Sequence, residues 1–294
     1  MKDSFKGDIE LVKLSIDGPD TGTIRADVRT IHPGGSRPLV IICHGFLGYK
    51  RWGFFPYLSE RIAAAGFHTL TFSFSLNGVD EETGRITRPD EFAANTVGRE
   101  ISDLESVCLF AKEGRLPYPV TSGGWAFVAH SRGASVALLV ARKLSQIGSI
   151  VTWATPSRLD RYSDRRKELW RRSGALTFND QRADIPLRLD YAYYEDIARH
   201  EEEYDLKRAA ASLDLPHLMI HGERDAAVTV SETRELYPDG LPARTRLEII
   251  PGCSHTFNIQ HPMDNPSRQL ERAVTLTVDW LCSEREKQRE KEIR

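Results

Sequence analysis

The chain has 294 residues, 40% of them hydrophobic, which is enough for one large α/β domain or for a domain that carries an insertion. Its 40 Lys and Arg residues nearly balance its 42 Asp and Glu residues, and interspersed charges of both signs argue against a nucleic-acid partner. The first eight residues lack the apolar core of a signal peptide, and no apolar run approaches the ~18 residues of a membrane span. We therefore expect a soluble, cytoplasmic protein with no membrane partner.

Cysteine usage gives no sign of a metal centre or a disulfide framework. Four cysteines lie far apart in the chain, without the C-x-x-C or Cys/His spacing of zinc ligands. We expect reduced thiols, no metal and no cofactor. The cysteines are Cys43, Cys108, Cys253 and Cys282.

Two segments near the N-terminus, 9–16 and 24–31, have alternating apolar residues and flank the turn-like residues 17–20. This pattern predicts an antiparallel hairpin, which we place at an edge of the sheet. Farther along the chain the strand-like segments are continuously apolar, as is typical of strands that helices cover on both faces. These segments span 38–43, 67–74, 125–129, 150–154, 218–220 and 247–250.

Helical stretches separate most of these segments, which implies parallel strands joined by crossover helices. The clearest stretches are 57–65, 100–111 and 134–144, and a closing helix is predicted at 270–281. The expected fold class is therefore α/β, with a mostly parallel, doubly wound sheet of about eight strands.

The interval 157–214 interrupts this alternation. It contains no strand-like apolar run, and its basic and acidic residues are balanced. We interpret it as a mostly helical cap inserted into a core formed by 1–156 and 215–282. The almost entirely charged segment 283–294 is predicted to be a tail at a frayed, solvated helix end.

The most informative motif lies at 125–138, where a buried strand runs through a small-x-Ser-x-Gly turn into a helix. A serine on such a sharp turn exposes its oxygen above the sheet, beside helix N–H groups that favour negative charge. The small residues Ala129 and Gly133 let the chain make the bend. The motif resembles the nucleophile elbow of α/β-hydrolases, Gly-x-Ser-x-Gly, with alanine in place of the first glycine. This resemblance implies an α/β-hydrolase fold with Ser131 as the nucleophile.

A serine hydroxyl needs a histidine to accept its proton and a carboxylate to orient that histidine. The loop after the next-to-last predicted strand resembles the acid-bearing loop of the family and implies Asp225 as the acid, with Glu223 as a nearby rival. The loop after the last predicted strand resembles the family's histidine loop and implies His255 as the base, with His261 second. Cys253 in that loop is interpreted as structural.

Attack on a carbonyl creates an oxyanion, which needs preorganised hydrogen-bond donors. The His-Gly-Phe sequence after the first core strand resembles the family's oxyanion loop, so the backbone N–H groups of Phe46 and Arg132 are the expected donors. The aromatic residues that follow are expected to line part of the acyl pocket, although Phe55 and Leu58 fit a core position equally well. His44 is expected to organise the oxyanion loop. The predicted pocket residues are His44, Gly45, Trp52, Phe54, Asn77 and His130.

The resemblance extends over about 34–282 and points to bacterial esterases described as dienelactone-hydrolase-like, cinnamoyl-esterase-like or serine-aminopeptidase-like. Ser131 argues against the cysteine chemistry of dienelactone hydrolases proper and excludes the aspartate chemistry of haloalkane dehalogenases. A cap of balanced charge favours a water-soluble ester over a triglyceride. We therefore predict a carboxylic ester hydrolase that acts on a small-molecule ester through an acyl-enzyme.

Two alternatives stay open. An aminopeptidase-like or amide hydrolase would use the same triad against a harder leaving group. A non-catalytic protein that binds small ligands is also known on this fold, although such proteins usually lack a triad member. The sequence does not decide whether the protein is a homodimer.

Overall fold

An eight-stranded sheet forms the centre of the fold in the computed structural model, which describes residues 9–19 and 22–293. The first eight residues, Asp20 of the predicted turn, Thr21 and Arg294 lie outside the described residues. The strand order is β1-β2-β4-β3-β5-β6-β9-β10. These strands are β1 (Glu10–Asp17), β2 (Thr23–Thr30), β3 (Leu39–Cys43), β4 (His68–Ser73), β5 (Trp125–His130), β6 (Ile147–Trp153), β9 (His217–Gly222) and β10 (Thr245–Ile250).

The pairing of the strands follows the change in sequence pattern. The N-terminal strands β1 and β2 pair antiparallel at one edge, and β2 also runs antiparallel to β4. From β4 to β10 all pairs are parallel. The prediction of a mostly parallel α/β sheet with an antiparallel hairpin at its edge is therefore confirmed. Because the remaining strands are parallel, their carboxyl ends meet along one edge of the sheet.

Helices cover both faces of the sheet, and the central strands bury alternate residues against each layer. On β3, Ile41 packs into the cluster that contains Leu104 and Leu138, while Ile42 packs with Ile62 and Val274 on the other face. This two-sided burial explains why the core strands are continuously apolar. The helices of the core are α1 (Phe55–Ala64), α2 (Pro89–Ala93), α3 (Val97–Lys112), α4 (Arg132–Ala141), α8 (Val230–Glu235) and α9 (Arg268–Ile293).

The segment between β6 and β9, which we predicted to be a cap, is not purely helical. It contains a two-stranded antiparallel sheet of β7 and β8, for which no strand was predicted. Each strand has four residues, too few to produce a visible apolar alternation. The cap elements are α5 (Asp164–Ser173), β7 (Ala175–Phe178), β8 (Leu187–Asp190), α6 (Ala192–Arg199) and α7 (Leu206–Ala211).

The last helix runs without interruption through the boundary that we predicted between core and tail. It extends from Arg268 to Ile293, so the charged tail continues the closing helix. In the part of the chain that the structure describes, no helix combines the length and apolar character that crossing a membrane requires.

Candidate active site

Ser131 occupies a sharp turn between β5 and α4. Its backbone has φ 55° and ψ −125°, a conformation that costs a non-glycine residue of order 1–3 kcal/mol and is common at functional sites. The Ser131 N–H donates to the carbonyl oxygen of Trp153 on the neighbouring strand β6 at 2.8 Å. The side chain is half-buried at the carboxyl edge of the sheet. The strained turn is thus tied to the sheet while its hydroxyl stays accessible.

Two glycines allow this turn to approach the loop that follows β3. A Cβ on Gly133 would lie 2.2 Å from the carbonyl oxygen of His44, and one on Gly45 would lie 2.9 Å from the Ser131 Cβ. Both distances are below any normal contact, so only glycine fits at either position. Glycine is therefore needed at 133 because of the loop after β3 and not because of β5.

A continuous chain of hydrogen bonds connects Ser131 with two residues from the loops after β9 and β10. His255 Nε2 lies 3.0 Å from Ser131 Oγ, and His255 Nδ1 lies 2.7 Å from Asp225 Oδ2. The imidazole is 22% exposed, whereas the Asp225 carboxylate is fully enclosed. This is the nucleophile–base–orienter geometry of a serine hydrolase.

The environment of Asp225 favours its ionised form. Its Oδ1 accepts hydrogen bonds from the backbone N–H of Ala227 and Val228 at 2.9 and 2.8 Å. Burial alone would raise the pKa of Asp225, but hydrogen bonds from His221, His255 and the Val228 N–H outweigh burial and lower the pKa. The Asp225 carboxylate is therefore ionised at neutral pH and can orient the His255 imidazole.

The rival residues have other partners. Glu223 Oε2 accepts from the Gly252 N–H at 2.9 Å and so joins the acid loop to the histidine loop. His261 Nδ1 accepts from the Gly53 N–H at 3.0 Å, and its Nε2 lies 3.1 Å from the Tyr49 hydroxyl. Because Nδ1 is an acceptor there, this imidazole is neutral with its proton on Nε2. Neither residue belongs to the Ser131 hydrogen-bond chain.

Cys253 is buried, and burial raises the pKa of its thiol to about 12. A thiol with so high a pKa supplies almost no thiolate at neutral pH.

The expected oxyanion donors belong to the residue after Ser131 and to the loop after β3, whose Gly45 closely approaches Ser131. Among the described residues, neither the Phe46 N–H nor the Arg132 N–H has a hydrogen-bond partner, so both remain available. His44 fixes the loop between β3 and Phe46: its Nδ1–H donates to the Gly45 carbonyl at 2.8 Å, and its Nε2 accepts from the Phe74 N–H at 3.1 Å. Burial lowers the pKa of His44 to about 3, so this imidazole is neutral and organises the loop.

A cavity of about 570 Å³ opens in front of Ser131 and His255. Of the predicted pocket residues, the cavity is lined by Gly45, Trp52 and His130. His44, Phe54 and Asn77 lie outside its lining, as a correction to the predicted pocket. His44 and Phe54 are buried in the layer behind it, and Asn77 accepts from the Val79 N–H in its own turn. The remaining lining residues are Phe46, Leu47, Gly48, Phe55, Ser131, Asn179, Asp180, Gln181, Arg182, His255, Thr256, Gln260 and His261.

His130 and Phe55 have more than one role. His130 Nε2–H donates to the His255 carbonyl at 2.9 Å, which holds the histidine loop in place. Burial, followed by the nearby His255, lowers the pKa of His130 to about 3. Phe55 was left open between core and pocket, and it is both: it is 1% exposed yet contributes to the cavity wall, whereas Leu58 is core.

The turn between β7 and β8 forms the part of the cavity that sequence reasoning missed. Arg182 donates from Nη2 to the Leu47 carbonyl at 2.6 Å and forms an ion pair with Asp180 at 2.8 Å. The Ile86 N–H donates to the Arg182 carbonyl at 2.9 Å. These contacts hold residues 179–182 of the cap over the active site. Only the turn-forming residues Asn179 and Asp180 signalled a loop there.

A mostly parallel sheet with a serine on the sharp turn after a central strand defines the alpha/beta hydrolase class. The chain belongs to the alpha/beta hydrolase family, whose profile matches residues 40–272. No curated protein matches the sequence.

Solved structures share the fold at low sequence identity. Est1E from Butyrivibrio proteoclasticus superposes with a TM-score of 0.66 at 17% identity, covering 92% of this chain and 98% of Est1E. The esterase Pf2001 from Pyrococcus furiosus gives 0.59 at 18% identity, with 94% and 93% covered. Dienelactone hydrolase from Anabaena variabilis gives 0.59 at 17% identity, with 94% and 98% covered.

Proposed function

We propose that the protein is a serine esterase that cleaves a small carboxylic ester through an acyl-enzyme. The observation that carries this proposal is the unbroken chain from Asp225 Oδ2 to His255 Nδ1 at 2.7 Å and from His255 Nε2 to Ser131 Oγ at 3.0 Å. The serine at the start of this chain lies on a strained turn and faces a cavity. Nucleophilic catalysis by a serine requires these features.

The reaction proceeds in two halves. Ser131 Oγ attacks the ester carbonyl carbon while its proton passes to His255 Nε2, and the carbonyl oxygen becomes an oxyanion held by the backbone N–H of Phe46 and Arg132. The bond to the alcohol oxygen then breaks, and His255 gives its proton to the departing alcohol. In the second half a water molecule attacks the acyl-enzyme by the same route and releases the acid.

Several features support an ester of a small, water-soluble molecule as the partner. The cavity of about 570 Å³ lies in the range of small-molecule sites and combines aromatic walls with the polar turn 179–182. One structural neighbour, Est1E, is described with ferulic acid bound, and others are described as esterases. Four free cysteines are compatible with a reducing, cytoplasmic location. We assign no nucleic-acid or membrane partner and leave homodimer formation open.

The test is a hydrolysis panel on the purified protein. We expect turnover of p-nitrophenyl acetate and butyrate, and loss of kcat by several orders of magnitude in Ser131→Ala, since removal of a triad serine costs roughly 10⁶-fold in a comparable enzyme. Aminoacyl-naphthylamides in the same panel test the amide alternative. Wild-type kcat in the Ser131→Ala variant, or no reaction of the wild type with any ester or fluorophosphonate, would overturn the proposal.

A further inference from the structure

The side chain of Arg132, the residue directly after Ser131, is buried in an ion pair beneath the turn. Its guanidinium is 12% exposed and donates to Glu100 Oε1 on α3, a carboxylate that is only 1% exposed. The side-chain amide of Asn95 donates to the same oxygen at 2.8 Å. A charge pair from two helices therefore lies at the base of the candidate oxyanion hole.

The same guanidinium contacts two aromatic rings that come from different parts of the fold. Its Cζ is 4.5 Å from the ring centroid of Phe46 and 5.4 Å from that of Tyr193. Phe46 belongs to the loop after β3, whereas Tyr193 belongs to the cap helix α6 and stacks on Trp170 with centroids 6.1 Å apart. Arg132 thus contacts both the cap and the ring of Phe46, the residue whose N–H is the other expected oxyanion donor.

Stability does not account for this arrangement. Among the described residues, Arg132 Nε and Glu100 Oε2 are buried without hydrogen-bond partners. Burial raises the pKa of Glu100, and the charge of Arg132 only opposes that rise. A buried ion pair with unsatisfied atoms is generally no more stable than apolar side chains of similar volume. The pair is therefore better explained by what it holds in place.

We propose that the Arg132 side chain is a positioning residue that sets the distance between the two oxyanion donors and couples that distance to docking of the cap. Glu100 binds the guanidinium from α3, Phe46 contacts it from the loop after β3, and Tyr193 contacts it from the cap. The backbone N–H of Arg132 and the loop that carries the Phe46 N–H are then held by one rigid group. This inference rests on the ester hydrolysis proposed above.

The experiment removes both charges together, because Arg132 alone cannot be replaced without leaving a buried, unpaired Glu100. In Arg132→Met/Glu100→Gln we expect kcat to fall about 10- to 100-fold, less than the 10²–10³-fold loss of a whole oxyanion donor. KM should stay within about twofold, because the donors act on the transition state. Binding of a trifluoromethyl ketone, which forms a tetrahedral adduct with the serine, should weaken by the same factor as kcat.

Three further variants make the result decisive. Tyr193→Leu should lower kcat in the same way but less, and Lys112→Met, at the exposed end of α3, should leave kcat unchanged. Arg132→Lys keeps the charge opposite Glu100 but loses the flat guanidinium, so its kcat should stay well below wild type. If the double variant does not fold, the lysine variant decides.

Three outcomes would overturn the inference: kcat within twofold of wild type in the folded double variant, a raised KM at unchanged kcat, or full activity in Arg132→Lys. A wild-type protein that hydrolyses no ester and does not react with a fluorophosphonate would instead refute the proposed function.

Discussion

Two carboxylates lie two positions apart on the loop after β9, and their hydrogen bonds assign them different tasks. Asp225 lies 2.7 Å from the imidazole of His255, whereas Glu223 accepts from the Gly252 N–H on the histidine loop. Asp225 is 6% exposed, so its charge acts in a poorly hydrated environment. The difference between the two carboxylates is therefore one of geometry and burial.

Asp225→Asn should lower kcat by about 10³- to 10⁴-fold, because an amide at this position favours the wrong imidazole tautomer. Glu223→Gln, the matched control, keeps an acceptor for the Gly252 N–H and should cost less than about tenfold. The measurement is kcat for p-nitrophenyl butyrate in both variants, with circular dichroism to establish folding. Equal losses in the two variants would mean that Asp225 is not the orienting acid.

The three residues of this hydrogen-bond chain were predictable because each follows a strand. The strands β5, β9 and β10 run in the same direction, so loops at their carboxyl ends meet at one edge of the sheet. The cavity wall was less predictable. His44 and Phe54 are close to it in sequence but face the layer behind it, and Arg182 reaches it from the cap through contacts that no local pattern encodes.

At the scale of elements, the contact between helix α4 and the loop after β3 determines where Ser131 lies. Gly133 in the first turn of α4 faces the His44 carbonyl, with no room for a Cβ. Glycine inside a helix usually weakens it by about 1 kcal/mol relative to alanine. At this position the usual preference is reversed, because a methyl group would push the helix away from the loop.

Gly133→Ala should therefore destabilise the protein by about 3 kcal/mol, at the upper end of typical overpacking costs. It should also lower kcat strongly, since the first turn of α4 carries the Arg132 N–H. Gly123→Ala is the control, because a Cβ at Gly123 meets nothing within 4 Å. Urea unfolding and ester hydrolysis measure the two effects. A Gly133→Ala protein as stable and active as the control would contradict this prediction, because the loop after β3 would then have moved to accommodate the added methyl group at little cost.

The cap shows what local patterns cannot predict. Its helices were expected from charge and aromatic residues, but β7 and β8 were not. Four residues are too few to establish a period-2 alternation, and β7 has no buried position whereas β8 has two. They form only because each pairs with the other and packs on the core, where Leu187 is fully buried. Tertiary contacts, rather than local preference, decide such short strands.

The whole molecule has a net charge of only −2, but some of its carboxylates are buried, and these make the free energy of unfolding depend on pH. Asp103 on α3 is completely buried and accepts from the N–H and hydroxyl of Ser75, in the turn just after β4, at 2.7 and 3.0 Å. Burial raises the pKa of Asp103 to about 7, a rise that the Ser75 hydrogen bonds and Arg99 oppose and Glu100 reinforces. A contact between a helix and the sheet therefore contains a group that prefers to be neutral.

This preference gives a signed prediction for the free energy of unfolding. Between the usual aspartate pKa of about 3.9 and the raised value, the folded state binds a proton that the unfolded state has lost, so stability falls as pH rises through this window. Asp103→Asn keeps an acceptor for the Ser75 N–H and places an amide N–H against the Ser75 hydroxyl, as the O–H of a neutral carboxyl would be, without the charge. The variant should match wild type near pH 4 and exceed it near pH 8 by a few kcal/mol. Urea unfolding at both pH values measures the difference, and an identical difference at both would refute the assignment to Asp103.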